Sequence, residues 1–154
     1  MPIEARYGHT SITAKDWRAL VRFYVDVFGC EPIGSQREHR GEWVGRVAGV
    51  PGAAIDGIHL KLPGFDGSDH FPTIEIFQYH EPEDRPSPPA ANRLGFSHIA
   101  FQVDDVEAAR TQVLANGGQD VGDVVTREVP DAGTITLVYM TDPEGNIIEL
   151  QRWS

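Results

Sequence analysis

The chain carries one pattern twice. Placing His9 on His98 brings Asp16 onto Asp105 and Gly29 onto Gly118 without a gap, the aspartates seven residues after each histidine and the glycines twenty after. Whatever the first copy folds into, the second must resemble it. Between the aligned points run two helical segments. In the first, Trp17, Leu20, Val21, Tyr24, Val27 and Phe28 recur at spacings of three and four and so share one apolar face. Asp16 suits the N-cap and Gly29 the C-terminal stop. In the second, Asp105 caps, Val106, Ala109, Val113 and Leu114 form the face, and Asn116-Gly117-Gly118 ends the helix.

After each helix the pattern turns to strands. Glu31 to Ser35, Trp43 to Ala48, Ile55 to Leu62 and Thr73 to Tyr79 read as apolar or alternating runs between Gly- and Pro-bearing turns. The second copy offers Val121 to Val129, Thr134 to Thr141 and Asn146 to Arg152, with Asp142-Pro-Glu-Gly145 turning the last two into a hairpin. The order is strand, helix, three strands, twice over. Glu81 to Asn92 holds four prolines and reads as an extended linker. About a dozen such residues reach up to roughly 35 Å, enough for the copies to pair within one chain or across a dimer; a homodimer is the expected assembly. The expected organisation is one domain over 1–154, with module one at 7–79, the linker at 80–94 and module two at 95–153.

Each copy opens on a strand histidine and closes on a glutamate set among apolar residues. His9 goes with Glu75 in Thr73-Ile-Glu-Ile-Phe-Gln-Tyr79, and His98 with Glu149 in Asn146-Ile-Ile-Glu-Leu-Gln151. A carboxylate flanked by isoleucine and leucine is costly to bury unless something compensates its charge. Two histidines and two carboxylates at matching places suggest one divalent metal between the repeats. Imidazole and carboxylate suit Zn, Ni, Co, Mn or Fe(II), and with Cys30 as the one cysteine a thiolate site is disfavoured. The first copy spans 66 residues from histidine to glutamate and the second 51, so the excess lies in the first copy's loops. Of the remaining histidines, His39, His59, His70 and His80 find no matching partner. His59 alternates in phase with Lys61, which points to a solvated face rather than a ligand. Arg37, Arg40, Trp43 and Arg46 cluster in the excess segment and read either as an anion- and ring-binding rim or as a solvated hairpin. Cys30 follows a helix-ending glycine and reads as structural.

Composition narrows the function classes. A net charge of −10, from 13 basic and 23 acidic residues, opposes a nucleic-acid partner, which needs clustered Lys and Arg. No apolar run reaches the roughly 18 residues of a membrane span. Met1-Pro-Ile-Glu-Ala-Arg6 lacks the cationic and apolar regions of a signal peptide, and a single cysteine fits a reducing compartment, so a cytoplasmic protein without membrane attachment is expected.

From Tyr7 to Trp153 the chain resembles the vicinal oxygen chelate superfamily of glyoxalases, bleomycin-resistance proteins and extradiol dioxygenases. The resemblance rests on His9-x-x-Ile12 with Phe23-Tyr-Val-Asp-Val-Phe-Gly29, on Ile74-Glu-Ile-Phe-Gln-Tyr79, on Gly95-Phe-Ser-His-Ile-Ala-Phe101, and on Asp142-Pro-Glu-Gly-Asn-Ile-Ile-Glu-Leu150. It implies an α+β fold of two tandem βαβββ modules forming a cup-shaped mixed sheet around a metal site. The set His9, Glu75, His98 and Glu149 looks most like that of glyoxalase I (lactoylglutathione lyase) and related isomerases, among them methylmalonyl-CoA and cyclitol epimerases. The resemblance then implies proton abstraction beside a carbonyl, a metal-stabilised enediolate, and Glu75 or Glu149 as the base. The substrate would be a small molecule with adjacent oxygens or a carbonyl. Other members of the fold imply an Fe(II) extradiol-type dioxygenase or a non-catalytic drug- or metabolite-binding protein.

Overall fold

A computed structural model describes Met1 and residues 3–154. The chain divides into two compact units, Met1–Asp84 and Arg85–Ser154, with the boundary inside the proline-bearing segment. The fold is mixed α+β, each unit folding around its own sheet.

The first unit runs β1 (His9–Thr13), α1 (Trp17–Phe28), β2 (Glu31–His39), α2 (Glu42–Ala48), β3 (Ile55–Lys61) and β4 (Thr73–Tyr79). The sheet order is β1-β4-β3-β2, parallel between β1 and β4 and antiparallel elsewhere. The Asp16 carboxylate accepts the Ala19 N–H at 3.0 Å, and Gly29 ends α1 in the left-handed region at φ 67°. Both expected helix signals are therefore in use. The buried face of α1 is Trp17, Leu20, Phe23 and Tyr24, so Phe23 takes a place that the three-four spacing gave to its neighbours. These side chains lie on β3 and β4, which present Leu60, Ile74 and Ile76 to the helix, all essentially buried. Covering Leu20 and Phe23 contributes roughly 1.5–3 kcal/mol each against exposure.

Strand alternation sends the other residues of β4 and β3 to the opposite face. There Thr73, Glu75 and Phe77 stand beside Lys61, His59 and Gly57 in register. Gly57 is sterically required: a Cβ at that position would lie 2.1 Å from the Ile76 carbonyl oxygen and 2.3 Å from Phe77 Cδ1. The run Trp43 to Ala48, expected as a strand, is the helix α2 instead. Glycines bracket it, with Gly41 at the N-cap and Gly49 leaving in the left-handed region at φ 69°. Its apolar residues at 43, 44, 47 and 48 have the spacing of a helix. Only Val44 is buried, against Ala53, Ile55 and Phe77.

The second unit runs β5 (His98–Gln102), α3 (Val106–Ala115), β6 (Gln119–Asp120), β7 (Val125–Val129), β8 (Gly133–Thr141) and β9 (Ile147–Trp153). Its sheet is ordered β5-β9-β8-β6, and β7 also pairs with β8. Asp105 caps α3 by accepting the Ala108 N–H at 2.9 Å. Val106 and Val113 are its buried residues, while Leu114 is exposed. They meet a sheet face made by Phe101, Val138, Met140, Ile148 and Leu150. Of the expected strand over 121–129 only 125–129 forms β7, and the two-residue β6 at 119–120 lies just before the expected span. The N–H groups of Val121 and Gly122 both donate to the Tyr139 carbonyl, so two residues oppose one and the ladder resumes only at Val125.

The β8–β9 hairpin turns on Asp142, which is 1 % exposed. Its Oδ1 accepts the N–H groups of Glu144 and Asn146, each at 2.9 Å, and its Oδ2 accepts from Asn146 Nδ2 at 2.6 Å. The Arg85 guanidinium donates to the Asn146 side-chain oxygen, and Pro89 lies against Gly145. Part of the expected linker is thus fastened to this turn.

These roles differ in cost. Asp142→Ala strands three part-buried donors and is expected to lower stability by about 2–3 kcal/mol. Asp16→Ala removes one exposed cap and is expected to cost about 1 kcal/mol. Urea denaturation of both variants beside wild type checks the ordering.

Candidate metal centre

Register places the site residues. In the first sheet Ser11, Glu75 and His59 form one row across β1, β4 and β3, and His9, Thr73 and Lys61 form the next. In the second sheet Ala100, Glu149 and Tyr139 form one row, beside His98, Ile147 and Thr141. Each histidine therefore pairs with the residue two before its glutamate, which sets both side chains on one face a single pleat apart. This is the same arrangement in both units.

In the first unit Glu75 is the centre. Its Oε1 accepts a hydrogen bond from the Ser11 hydroxyl at 2.8 Å. Its Oε2 is approached by His59 Nε2 at 3.1 Å and by His9 Nε2 at 3.5 Å. The two imidazoles meet edge to face, 5.3 Å apart. His59 Nδ1 faces Thr73 Oγ1 at 3.3 Å, and the His59 ring stands edge-on to Phe77. One ligand atom from each of His9, His59 and Glu75 lies within 4.8 Å of the others. Burial holds the His59 pKa below the ordinary histidine value, overriding the attraction of Glu75, and the charges of His9, Arg37 and His39 act in the same direction as burial. A neutral imidazole is the form that binds a metal.

In the second unit His98 Nε2 lies 2.9 Å from Glu149 Oε2, and the glutamate side chain is only 10 % exposed. Ser97 Oγ lies 3.0 Å from His98 Nδ1, and the Tyr139 ring packs 4.8 Å from the imidazole. The four residues expected as ligands are thus two close pairs, one on each unit.

His59 corrects the sequence reading. Its alternation with Lys61 is real, but the face they share is the one that bears Glu75. Lys61 is itself drawn in, with its ammonium over the Phe71 ring and 3.4 Å from Asp66. The missing signal was the β3–β4 register, which sets His59 directly opposite Glu75.

The arginine cluster does not form a single open rim. Arg40 donates to the carbonyls of His39 and Ile55 and to Asp56 at 2.7 Å. Asp56 also meets His80 Nε2 at 2.9 Å. Arg37 stands opposite Gly57 beyond a bulge in β2, and its guanidinium donates to the Ser35 carbonyl. Trp43 stacks edge-on to His39, which in turn meets Phe77. Cys30 is buried, and burial pushes its thiol up to about 12, so no thiolate is available at neutral pH.

The donors present are imidazole nitrogens and carboxylate oxygens, which fit a borderline divalent cation. The sequence profile of the Glyoxalase/Bleomycin resistance protein/Dioxygenase superfamily matches residues 6–150. The chain belongs to that superfamily. Members act on small molecules and typically hold a divalent metal. A 2-epi-5-epi-valiolone epimerase from Actinomyces sp is 30 % identical over 145 residues, covering 92 % of this chain and 76 % of that enzyme. The lactoylglutathione lyase of Schizosaccharomyces pombe is 25 % identical over 150 residues, 94 % of this chain and 46 % of that enzyme. Among solved structures, a glyoxalase family protein from Bacillus cereus superposes with a TM-score of 0.81 at 23 % identity, covering 99 % of this chain and 96 % of the other. That likeness is one of fold. Among the described residues no helix is long and apolar enough to cross a membrane.

The Arg40–Asp56 contact gives a pH-dependent outcome. Hydrogen bonds from Arg40 first, then from His80, hold the Asp56 pKa below the ordinary carboxylate value. The folded pKa lies below the unfolded one, so this stability is present above roughly pH 4 and fades as pH falls through the folded pKa. The stability gap between wild type and Asp56→Asn is therefore expected to be widest near neutrality and to close in acid, read from denaturant midpoints across a pH series.

Proposed function

We propose that this protein is a metal-dependent isomerase or epimerase that moves a proton on carbon beside a carbonyl, with metal ligands drawn from His9, Glu75, His98 and Glu149. The observation that carries the proposal is the repeated pairing: a first-strand histidine within 3.5 Å of a last-strand glutamate in one unit and within 2.9 Å in the other, at the same register. Glu149 strengthens it. A carboxylate nearly closed off from water beside Ile147 and Ile148 is costly unless its charge is compensated. His98 Nε2 is its contact at 2.9 Å, and a bound cation would supply charge directly.

The similar proteins point the same way. A 2-epi-5-epi-valiolone epimerase and a lactoylglutathione lyase stand among the relatives. The substrate class that follows is a small molecule with a carbonyl next to a C–H, or with oxygens on adjacent carbons. A bound divalent cation acts as a Lewis acid toward such an oxygen.

The chain's own residues handle the proton. Glu75 and Glu149 are the two candidate bases, each presenting a carboxylate oxygen beside an imidazole. The base takes the proton from carbon and holds it. Return to the neighbouring carbon isomerises; inversion of the same carbon needs a proton delivered to its opposite face by a second acid. Ser11 fixes one oxygen of Glu75 and so orients the other. General base catalysis of this kind contributes about 10²–10⁴-fold.

The test joins metal analysis to solvent deuterium wash-in on α-hydroxy-ketone, 2-oxoaldehyde–thiol and acyl-CoA substrates. The expected result is a bound divalent metal and deuterium at the carbon next to the carbonyl. His9→Ala and His98→Ala should weaken metal retention. At least one of Glu75→Gln and Glu149→Gln should slow exchange by about 10²-fold or more. Metal-free protein with histidine variants that change nothing, or oxygen uptake with catechols in place of exchange, would sink the proposal.

A further inference from the structure

We propose that His59 is itself a metal ligand, so that His9, His59 and Glu75 form a three-donor set built on the first sheet alone. This rests on the metal-centre reading above and extends it to a residue outside the repeat.

The geometry is that of donors around a common point. Two ligands each about 2.0–2.1 Å from an ion, at tetrahedral or octahedral angles, lie roughly 2.8–3.4 Å apart. Glu75 Oε2 lies 3.1 Å from His59 Nε2 and 3.5 Å from His9 Nε2, and one donor atom from each of the three residues lies within 4.8 Å of the others. Hydrogen bonding alone does not call for both imidazoles. Ser11 already serves Glu75 Oε1, and His59 at 3.1 Å serves Oε2. His9 at 3.5 Å is left with a poor contact. A cation uses all three atoms.

The outer contacts agree. A metal-bound imidazole usually donates its other N–H to an oxygen nearby, which fixes ring and tautomer. Thr73 Oγ1 occupies that position at His59 Nδ1, at 3.3 Å. With the proton on Nδ1 and a cation bound, the His59 Nε2 lone pair faces the metal; with no cation, Nε2–H donates to Glu75 Oε2 instead. Phe77 walls the ring on one side, and the three residues stand on neighbouring strands in continuous register.

The assignment also gives His59 a purpose. Glu75 is proposed both as ligand and as base, and it cannot serve fully as both at once. A second imidazole on the same sheet leaves the carboxylate free to take a proton without surrendering the site.

The experiment is Co(II) titration of the full-length, metal-stripped protein, read by visible ligand-field absorption and by competition for affinity. His59→Ala and His59→Gln are each expected to weaken binding at least tenfold and to alter the absorption band. His39→Gln, a histidine on the same face without contact to Glu75, is expected to match wild type. Near-UV circular dichroism confirms that the variants are folded, and the glutamine variant keeps a polar side chain if alanine disturbs the sheet. The inference is overturned if both His59 variants keep wild-type affinity and spectrum while His9→Ala and Glu75→Gln lose them; the metal-centre reading would then survive without His59. If wild type binds no Co(II), or if His9→Ala and Glu75→Gln bind as wild type does, both readings fall together.

Discussion

The parallel pairing of first and last strand is the constraint on which each unit depends. In the first unit it sets β1 beside β4, and in the second β5 beside β9. Parallel neighbours cannot be joined by a tight turn, so each pair encloses everything between them in the chain. The helix and remaining strands of a unit are the crossover that makes the pairing possible. A histidine thereby meets a glutamate more than fifty or sixty residues away, at a distance fixed by backbone hydrogen bonds rather than by loop conformation. The helix seals the opposite sheet face with Leu20, Phe23 and Tyr24 in one unit and Val106 and Val113 in the other.

The sheet faces divide the work. One is apolar and closed by a helix. The other gathers polar and titratable groups: His9, Ser11, Glu75 and His59 in the first unit, His98, Glu149 and Tyr139 in the second. The chain as a whole carries a charge of −10, yet the first unit's polar face collects Arg37, Lys61 and three histidines around Glu75. Overall acidity is therefore no guide to the potential a ligand meets there.

The sequence made the repeat legible because its markers are local. Asp16, Asp105 and Gly29 act within a few residues of themselves, and their roles need no knowledge of distant strands. Thr73 to Tyr79 was readable for the same reason, as a strand apolar enough to declare itself. What was not legible required a partner. His59 looked solvated because alternation reveals which residues share a face, but not which face receives the glutamate. That depends on the register between β3 and β4. Trp43 to Ala48 reads as a strand because the seven residues of α2 are too short a stretch for helical spacing to stand out, and only one of the side chains is buried. The break before Val125 came from two amides sharing the Tyr139 carbonyl, which no spacing announces.

Gly57 gives the polar face of the first unit an asymmetric capacity for change. Backbone and the Phe77 ring fill the space that any side chain at 57 would need. The middle of that face is consequently a fixed floor. Its borders are not: β2 carries a bulge between Ile33 and Arg37, and α2 is anchored by little more than Val44. A new ligand shape would be met by remodelling those borders, so chemistry and selectivity in this unit occupy parts of the sheet that can diverge separately.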